Sequence, residues 1–139
     1  MRIYLSALLL LFFTAGPGVQ ASDLIEKRKA QFKNNATILR AIRNHLAGND
    51  FNAIAKGAEE IAIWATNMPD YFPAGSASKA AAPAIWQNFD DFKAKAQANH
   101  DAALTLKTAA QSQNPQSVMN AVQNLGGTCK SCHSSYKLD

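Results

Sequence analysis

The sequence is short of the residues that build β-sheets, and it lacks the patterns that mark several other kinds of protein. From Ser22 onward β-branched residues are sparse and alanine is abundant, which favours helices over strands. No internal repeat and no dense run of lysine or arginine occurs, so neither a repeat architecture nor nucleic-acid binding is indicated. With 47% hydrophobic and 17% charged residues, the 139-residue chain is typical of one globular domain, not of a disordered segment or a membrane bundle.

The N-terminal segment has the composition of a secretory signal peptide. Met1-Arg2 supplies a positive start, residues 3–13 are almost wholly apolar, and Val19-Gln20-Ala21 places small residues at the two positions that a signal peptidase recognises. An apolar run of about eleven residues is too short to span a bilayer, which needs roughly 20; an uncleaved anchor is the alternative. We expect cleavage to remove residues 1–21, leaving a periplasmic domain at residues 22–139 with no membrane span.

Apolar residues recur at helical spacing from Asp23 to the C-terminus and predict four amphipathic helices. Two short connections and one long one join them, so the simplest fold is all-α, an antiparallel four-helix bundle with any cofactor between facing helices. The predicted helices cover about residues 23–47, residues 51–68 after an N-cap at Asp50, residues 83–110, and residues 115–136 after an N-cap at Asn114, with an interruption at Gly126-Gly127.

The chain's only two cysteines lie in the segment Cys129-Lys130-Ser131-Cys132-His133. Two thiols three positions apart on a helical turn can each add to one vinyl group of a haem, and the adjacent histidine then falls under the iron as a ligand. The motif predicts one covalently attached haem c near the C-terminal end of the fourth helix. Cys129 and Cys132 would form the thioethers, and His133 would be the axial ligand of the iron.

Other interpretations of the two cysteines are weaker. A thiol-redox pair of the thioredoxin type lies near a strand, and no strand is predicted here. A structural zinc site needs four ligands, and His45 and His100 do not lie at zinc-finger spacing. A disulfide across so short a loop would add little stability and would not require the histidine. A non-haem thiol-redox protein therefore stays as the alternative to haem attachment.

The position of the motif limits the choice of a sixth iron ligand. Six residues follow His133, and none is methionine or histidine, so a sixth ligand would have to come from an upstream helix. Met68 and Met119 lie on apolar stripes, where core packing is the expected role. His45 and His100 lie off those stripes and are expected to be exposed.

A helical chain of this length that ends in C-x-x-C-H resembles cytochrome c′, the class II c-type cytochromes. The resemblance covers essentially the whole mature chain. The haem motif is shared by c-type cytochromes in general, whereas Arg28 followed four residues later by Phe32, far from the C-terminus, points to this family. Further matching segments are Met68-Pro69 with Phe72 and Gly75, Pro83-Ala84-Ile85-Trp86, and Gly126-Gly127-Thr128.

The resemblance implies that Arg28 contacts a haem propionate and that Phe32 covers the distal face of the iron. Residues at i and i+4 project from one side of a helix, which suits this pairing. Low-spin relatives of the cytochrome c-556 kind place methionine where Phe32 stands; phenylalanine cannot ligate iron, so we expect five-coordinate, high-spin iron. A low-spin six-coordinate carrier is the alternative. Lys137 departs from the arginine common in the family and lacks its planar fork.

Two functions suit a five-coordinate haem in an exported bundle. One is electron transfer with small redox proteins of the periplasm; the other, implied by the resemblance, is the binding of nitric oxide or carbon monoxide. No distal histidine is positioned to cleave an O–O bond, so we expect a haem carrier rather than an enzyme. Ile38, Ile63 and Trp64 lie off the haem-facing stripe and suggest, with the resemblance, an antiparallel homodimer through the first two helices.

Overall fold

Helices make up most of the part of the chain that the structure, a computed structural model, describes: residues 17–138, with side chains from residue 21 onward. The four long helices form an antiparallel bundle, which confirms the predicted all-α architecture. Within residues 17–138, the extended pairing is limited to one isolated bridge between Ala81 and Lys137. The elements are α1 (Pro17–Ala47), α2 (Phe51–Asn67), a 3-10 turn (Met68–Tyr71), α3 (Ala84–Gln87), α4 (Phe89–Gln111) and α5 (Pro115–Tyr136).

The predicted signal peptide falls only partly within the described residues. Its apolar run at residues 3–13 lies outside them, while α1 begins at Pro17 and continues without a break past Ala21. Cleavage after Ala21 stays a prediction. Among the described helices, none combines the length and apolar character needed to cross a bilayer.

Both predicted helix caps are confirmed. The Asp50 side chain accepts a hydrogen bond from the backbone N–H of Ala53 at 3.1 Å and starts α2. The Asn114 side chain accepts one from the N–H of Ser117 at 3.0 Å and starts α5. Each satisfies a donor that the first turn of a helix leaves without a partner.

Two helix predictions are wrong. The third helix is not continuous, because Asn88, with φ −130° and ψ 50°, ends α3 and precedes α4. Its backbone N–H donates to the Ala84 carbonyl at 2.9 Å, and short polar side chains such as asparagine favour such breaks. Conversely, α5 continues through Gly126 and Gly127 without interruption, and a Cβ at either position would meet nothing within 4 Å.

The core divides into an aliphatic half and an aromatic half. The aliphatic half joins α1, α2, α4 and α5 and reaches the cysteine end of the bundle at Leu125, one turn before Cys129. Within the bundle, α2 packs most extensively against α4. The aromatic half surrounds the end of the bundle where the cysteines lie, so large flat rings frame the predicted cofactor position. Its buried members are Trp64, Ala65, Met68, Phe72, Ala81, Ile85, Phe92, Ala96 and Tyr136, with Phe32 and Cys132 partly buried against them.

Several single-residue expectations have mixed outcomes. Met68 is buried as expected, whereas Met119 is 40% exposed, so its predicted core role is wrong. His45 and His100 are half-buried instead of exposed, and Nδ1 of His100 lies 3.0 Å from Oγ1 of Thr66.

The three residues expected to need a partner subunit differ from one another. Ile63 is 58% exposed, as the prediction requires. Ile38 is half-buried against the aliphatic core. Trp64 is 5% exposed and packs inside its own chain, so its assignment to an intersubunit face is wrong.

Candidate functional site

The C-terminal half of α5 carries both cysteines and His133 within two helical turns. Neither cysteine forms a disulfide, and both thiols are half-buried. The side chain of Cys132 packs against the aromatic core, while Cys129 lies one turn earlier beside Asn99 of α4. The α5 helix therefore presents two free thiols and an imidazole at the aromatic end of the bundle.

Two adjoining cavities meet at Phe32, Cys132 and His133. The inner cavity, of about 180 Å³, extends into the bundle; the outer cavity, of about 270 Å³, extends towards the connection before α3. No carboxylate of the described residues lines either of them. The inner cavity is also lined by Asn35, Ala36, Leu39, Ile61, Met68, Lys95, Asn99, Leu125, Thr128 and Cys129. The outer cavity is also lined by Arg28, Lys29, Phe72, Ser78, Ala80, Ala81, Ile85, Phe92, Tyr136 and Lys137.

The rings of Phe32 and His133 lie opposite each other where the two cavities meet. Their centroids are 6.3 Å apart, with the planes inclined at 65°. Helix α1 supplies Phe32 and helix α5 supplies His133. The first and the last of the described helices therefore both contribute to this site. The structure thus brings the predicted axial ligand and the predicted distal residue together in an edge-on ring contact.

Arg28, one turn before Phe32 on α1, is a buried cation without a carboxylate partner among the described residues. It is 3% exposed, and burial lowers the pKa of its guanidinium. The guanidinium donates to the Tyr71 carbonyl at 3.3 Å and to the hydroxyl oxygens of Ser76 and Ser78 at 3.1 and 3.0 Å. It also stands 4.4 Å from the centre of the Phe72 ring.

The environment of the Arg28 guanidinium shows whether the site suits a haem. A buried charge is costly unless an opposite charge accompanies it. Arg28 lines the outer cavity, whose described lining includes no carboxylate, and a haem propionate would supply the counter-charge for its guanidinium. The free thiols suit the vinyl groups of a haem, and the apolar lining suits its porphyrin ring. The residues present fit the group.

The protonation of the thiols disfavours a thiol-redox role. Burial is the main cause that raises the pKa of the Cys132 thiol to about 11, and burial also raises the pKa of Cys129. Redox-active C-x-x-C pairs instead depend on a lowered pKa, because the thiolate is the nucleophile. These cysteines have the environment of an attachment site.

The imidazole of His133 is held towards its neutral form. Burial, and secondarily the positive charge of Lys137, lower its pKa. A neutral ring nitrogen is the form that binds iron. Lys137, the C-cap residue of α5, therefore favours the neutral imidazole through its positive charge.

Two polar contacts behind the site were not predicted from the sequence. Asn99 of α4, 7% exposed, donates to Thr128 Oγ1 at 2.8 Å and to Cys129 Sγ at 3.5 Å. The signal for Asn99 was present, since it is the one polar residue on the apolar stripe of α4. The Tyr136 hydroxyl donates to the Asp91 carboxylate at 2.5 Å, and nothing in the sequence pattern marks Asp91.

No group of three or more histidine, cysteine, aspartate or glutamate side chains within the described part of the chain could hold a bare metal ion. The site combines two thiols, one imidazole and several cations with uncharged polar side chains and a largely apolar lining. Joined to a helical bundle, such a set defines the class of helical c-type cytochromes, in which the haem is bound to the chain at its C-terminal helix.

Comparison with known proteins identifies the family. The family model for cytochrome c′ matches residues 23–137. A cytochrome c-556 of Agrobacterium fabrum is 38% identical over 125 residues, covering 86% of this chain and 84% of that protein. A cytochrome c′ of Rhodospirillum rubrum is 35% identical over 130 residues, covering 86% and 87%.

A solved cytochrome c′ with an unusual ligand-controlled dimer dissociation has the same fold. It superposes with a TM-score of 0.79 at 25% identity, covering 86% of this chain and 97% of that one. The chain belongs to the cytochrome c′ family, and its cofactor is covalently bound haem c. Both cytochrome c′ and cytochrome c-556 are among the relatives, so the comparisons leave the coordination state to be argued from the site.

Proposed function

We propose that this c-type cytochrome works in the periplasm, that its iron is five-coordinate and high-spin, and that it transfers electrons and binds nitric oxide or carbon monoxide. The observation that carries the proposal is the placement of the Phe32 ring opposite His133 where the two cavities meet. A haem iron supplies one-electron chemistry and one ligand position. The residues of the chain decide what reaches that position.

The proposed attachment uses Cys129 and Cys132 as thioethers and His133 as the only protein ligand of the iron. Both thiols are free, half-buried and adjacent to the cavities. Arg28 would neutralise a propionate in the outer cavity, where it already lies buried without a carboxylate partner among the described residues. These roles agree with the family resemblance and with the fit of the site.

Phe32 supports the five-coordinate state, because its ring occupies the side of the site opposite His133 and cannot donate an electron pair to iron. One specific observation favours the alternative. Met68 lines the inner cavity, and a thioether there is a potential ligand for a low-spin carrier of the cytochrome c-556 kind. Apart from the haem-motif side chains and Asn35, Lys95, Asn99 and Thr128, the lining of the inner cavity is apolar.

A carrier role is favoured over an enzymatic one. Among the residues that line the two cavities, the single imidazole is that of His133, so no second histidine is available there to act as a general acid on a bound peroxide. Small soluble redox proteins of the periplasm are the proposed partners. Export rests on the signal-like residues 1–21, with cleavage after Ala21.

Absorption spectra of the purified ferric and ferrous holoprotein test the coordination state. High-spin ferric bands, and new ferrous bands on addition of nitric oxide or carbon monoxide, are expected. Met68→Leu is the companion variant: it should leave the parent spectrum unchanged. A low-spin parent that becomes high-spin in Met68→Leu would instead establish Met68 as the sixth ligand.

Mass spectrometry tests attachment and export in one measurement. The chain is expected to begin at Ser22 and to carry the mass of one haem that acid–organic extraction does not remove. Cys129→Ala and Cys132→Ala should each retain haem through a single thioether, whereas the double variant should lose it on extraction. An unmodified mass of the parent chain would rule out the covalent site.

A further inference from the structure

Trp64 has an unusual environment for a buried tryptophan. It is 5% exposed, and its Nε1 is the one buried side-chain nitrogen or oxygen of the described residues without a hydrogen-bond partner. The other tryptophan, Trp86, donates its Nε1 to the carbonyls of Phe72 and Pro73 at 3.0 and 3.1 Å. An unpaired buried donor costs about 1–3 kcal/mol, so hydrogen bonding does not explain why an indole stands at position 64.

The contacts of the Trp64 ring lead to the haem site. Its centroid lies 5.5 Å from that of Phe32 with the planes at 87°, a T-shaped pair, and 5.1 Å from that of Tyr71. The Phe32 ring also contacts Phe72 at 6.5 Å, on top of its contact with His133. Trp64 and Phe72 are both 5% exposed, so Phe32 has two buried aromatic neighbours that cannot easily move.

A ligand that binds on the Phe32 side of the iron needs space that the Phe32 ring occupies. The ring must turn or shift, and each T-shaped aromatic contact that it gives up costs about 0.5–1.5 kcal/mol beyond the area it buries. Trp64 forms the shortest of the three ring contacts of Phe32. The size of the side chain at position 64 of α2 therefore determines how easily the Phe32 ring is displaced.

We infer that Trp64 is a positioning residue that fixes the Phe32 ring over the open coordination position and thereby limits the rate at which nitric oxide or carbon monoxide reaches the iron. The inference rests on the proposed function, in which Phe32 covers that position. Trp64 acts only through Phe32, since it lines neither cavity.

Carbon monoxide association with the ferrous holoprotein, followed after flash photolysis, tests the inference. Trp64→Leu removes the indole and keeps an apolar side chain, and it should raise the association rate up to about tenfold, as the loss of one aromatic contact allows. Trp64→Phe keeps an aromatic ring and should change the rate by less than about twofold. Should Trp64→Leu not assemble, Trp64→Met fills the site more fully and should change the rate in the same direction.

Trp86→Leu is the matched control. Trp86 contacts Phe72 at 6.4 Å but has no ring contact with Phe32, so the same replacement there should leave the association rate at the parent value. In a Phe32→Ala background, Trp64→Leu should add nothing further, because the ring that it restrains is gone. That non-additivity is the signature that a purely structural role of Trp64 would not produce.

The outcomes separate the inference from the proposed function. If Phe32→Ala speeds carbon monoxide binding while Trp64→Leu and Trp64→Met bind at the parent rate, the inference is overturned and the distal role of Phe32 stands. If Phe32→Ala also binds at the parent rate, the proposed function fails and the inference fails with it. Rates that rise equally in Trp64→Leu and Trp86→Leu would also overturn it, as they would reflect general loosening.

Discussion

At the scale of single residues, the site combines a buried cation that would be costly without a bound group and buried thiols that stay neutral. Arg28 is buried without a carboxylate among the described residues, and the Cys132 thiol has a pKa raised to about 11. The buried guanidinium is unfavourable without an opposite charge, which a haem propionate would supply. The buried thiol stays neutral and is the group that would form a thioether with the haem. Arg28 and Cys132 therefore indicate the kind of cofactor more clearly than the overall composition does.

Phe32 variants give the most direct test at this scale. Phe32→Met places a thioether where the ring now faces His133, so the ferric spectrum should shift from high-spin towards low-spin. Methionine is flexible and close in volume, so the free energy of unfolding should fall by less than about 1.5 kcal/mol. Phe32→Ala should open the site and tighten carbon monoxide binding. Parent spectra and parent gas affinity in both variants would make Phe32 an ordinary core residue.

Tyr136 gives a pH-dependent prediction. Its hydrogen bond to the Asp91 carboxylate is the main cause that raises the pKa of the phenol to about 12, from an ordinary value of about 10. The folded state then holds this proton more tightly than the unfolded state does. The phenol's contribution to stability is complete below about pH 10 and is lost as the pH rises through about 12.

Chemical denaturation at pH 9 and at pH 11.5 measures this contribution. The parent protein should lose more unfolding free energy between the two pH values than Tyr136→Phe does. Comparing the two proteins cancels the titration of other tyrosines and lysines. An equal loss in both proteins would show that the contact with Asp91 does not hold the phenolic proton.

At the scale of helices, the close approach of α1 and α2 occurs at Gly57. A Cβ added there would lie 3.0 Å from Cγ2 of Ile38 and 3.3 Å from Ile42, whereas one added at Gly127 in α5 would meet nothing within 4 Å. Glycine costs a helix interior about 1 kcal/mol relative to alanine. Gly127→Ala should therefore raise the unfolding free energy by about that amount, while Gly57→Ala should lose most of the gain to the contact with Ile38.

Equal stabilisation by both substitutions, measured by denaturant titration, would show that α1 can move away from α2 at little cost. The two positions form a matched pair because both glycines lie inside helices. The comparison therefore separates helix propensity from packing between the helices.

Local signals in the sequence are sufficient for most of the helices but not for their interruptions. Asp50 and Asn114 are found because a cap needs only its own side chain and the next turn. The break at Asn88 and the continuity at Gly127 depend on what lies around each helix, which local propensity does not contain.

The same limit applies at the site. The C-x-x-C-H motif lies within five consecutive residues, so the residues for haem attachment could be predicted from the sequence. Trp64 was assigned to the wrong face because its contact with Phe32 joins two helices across the bundle. Asp91 offers no signal at all, since its partner Tyr136 lies 45 positions away.

At the scale of the whole molecule, an exposed apolar side chain on α2 bears on assembly. Ile63 on α2 is 58% exposed, a large apolar side chain on the face predicted to pair with a second copy. We expect a homodimer through α1 and α2, and Ile63→Lys should shift it to monomer in sedimentation at micromolar concentration. Leu104→Lys on α4, whose side chain is 40% exposed, should leave the mass unchanged. A monomeric parent protein would contradict this assembly.

The hydrogen bonds of Arg28 also have a consequence for the order in which the native state opens. They connect α1 to residues 71–78, which run from the last residue of the 3-10 turn into the connection before α3, through a single side chain. Helix α1 is packed against α2 much less extensively than α4 is. Detachment of α1 would therefore release this segment at the same moment, as one cooperative unit of partial unfolding. In native-state hydrogen exchange, the amides of α1 near Arg28 and the Ser76 amide should share one opening free energy, and Arg28→Lys should uncouple them.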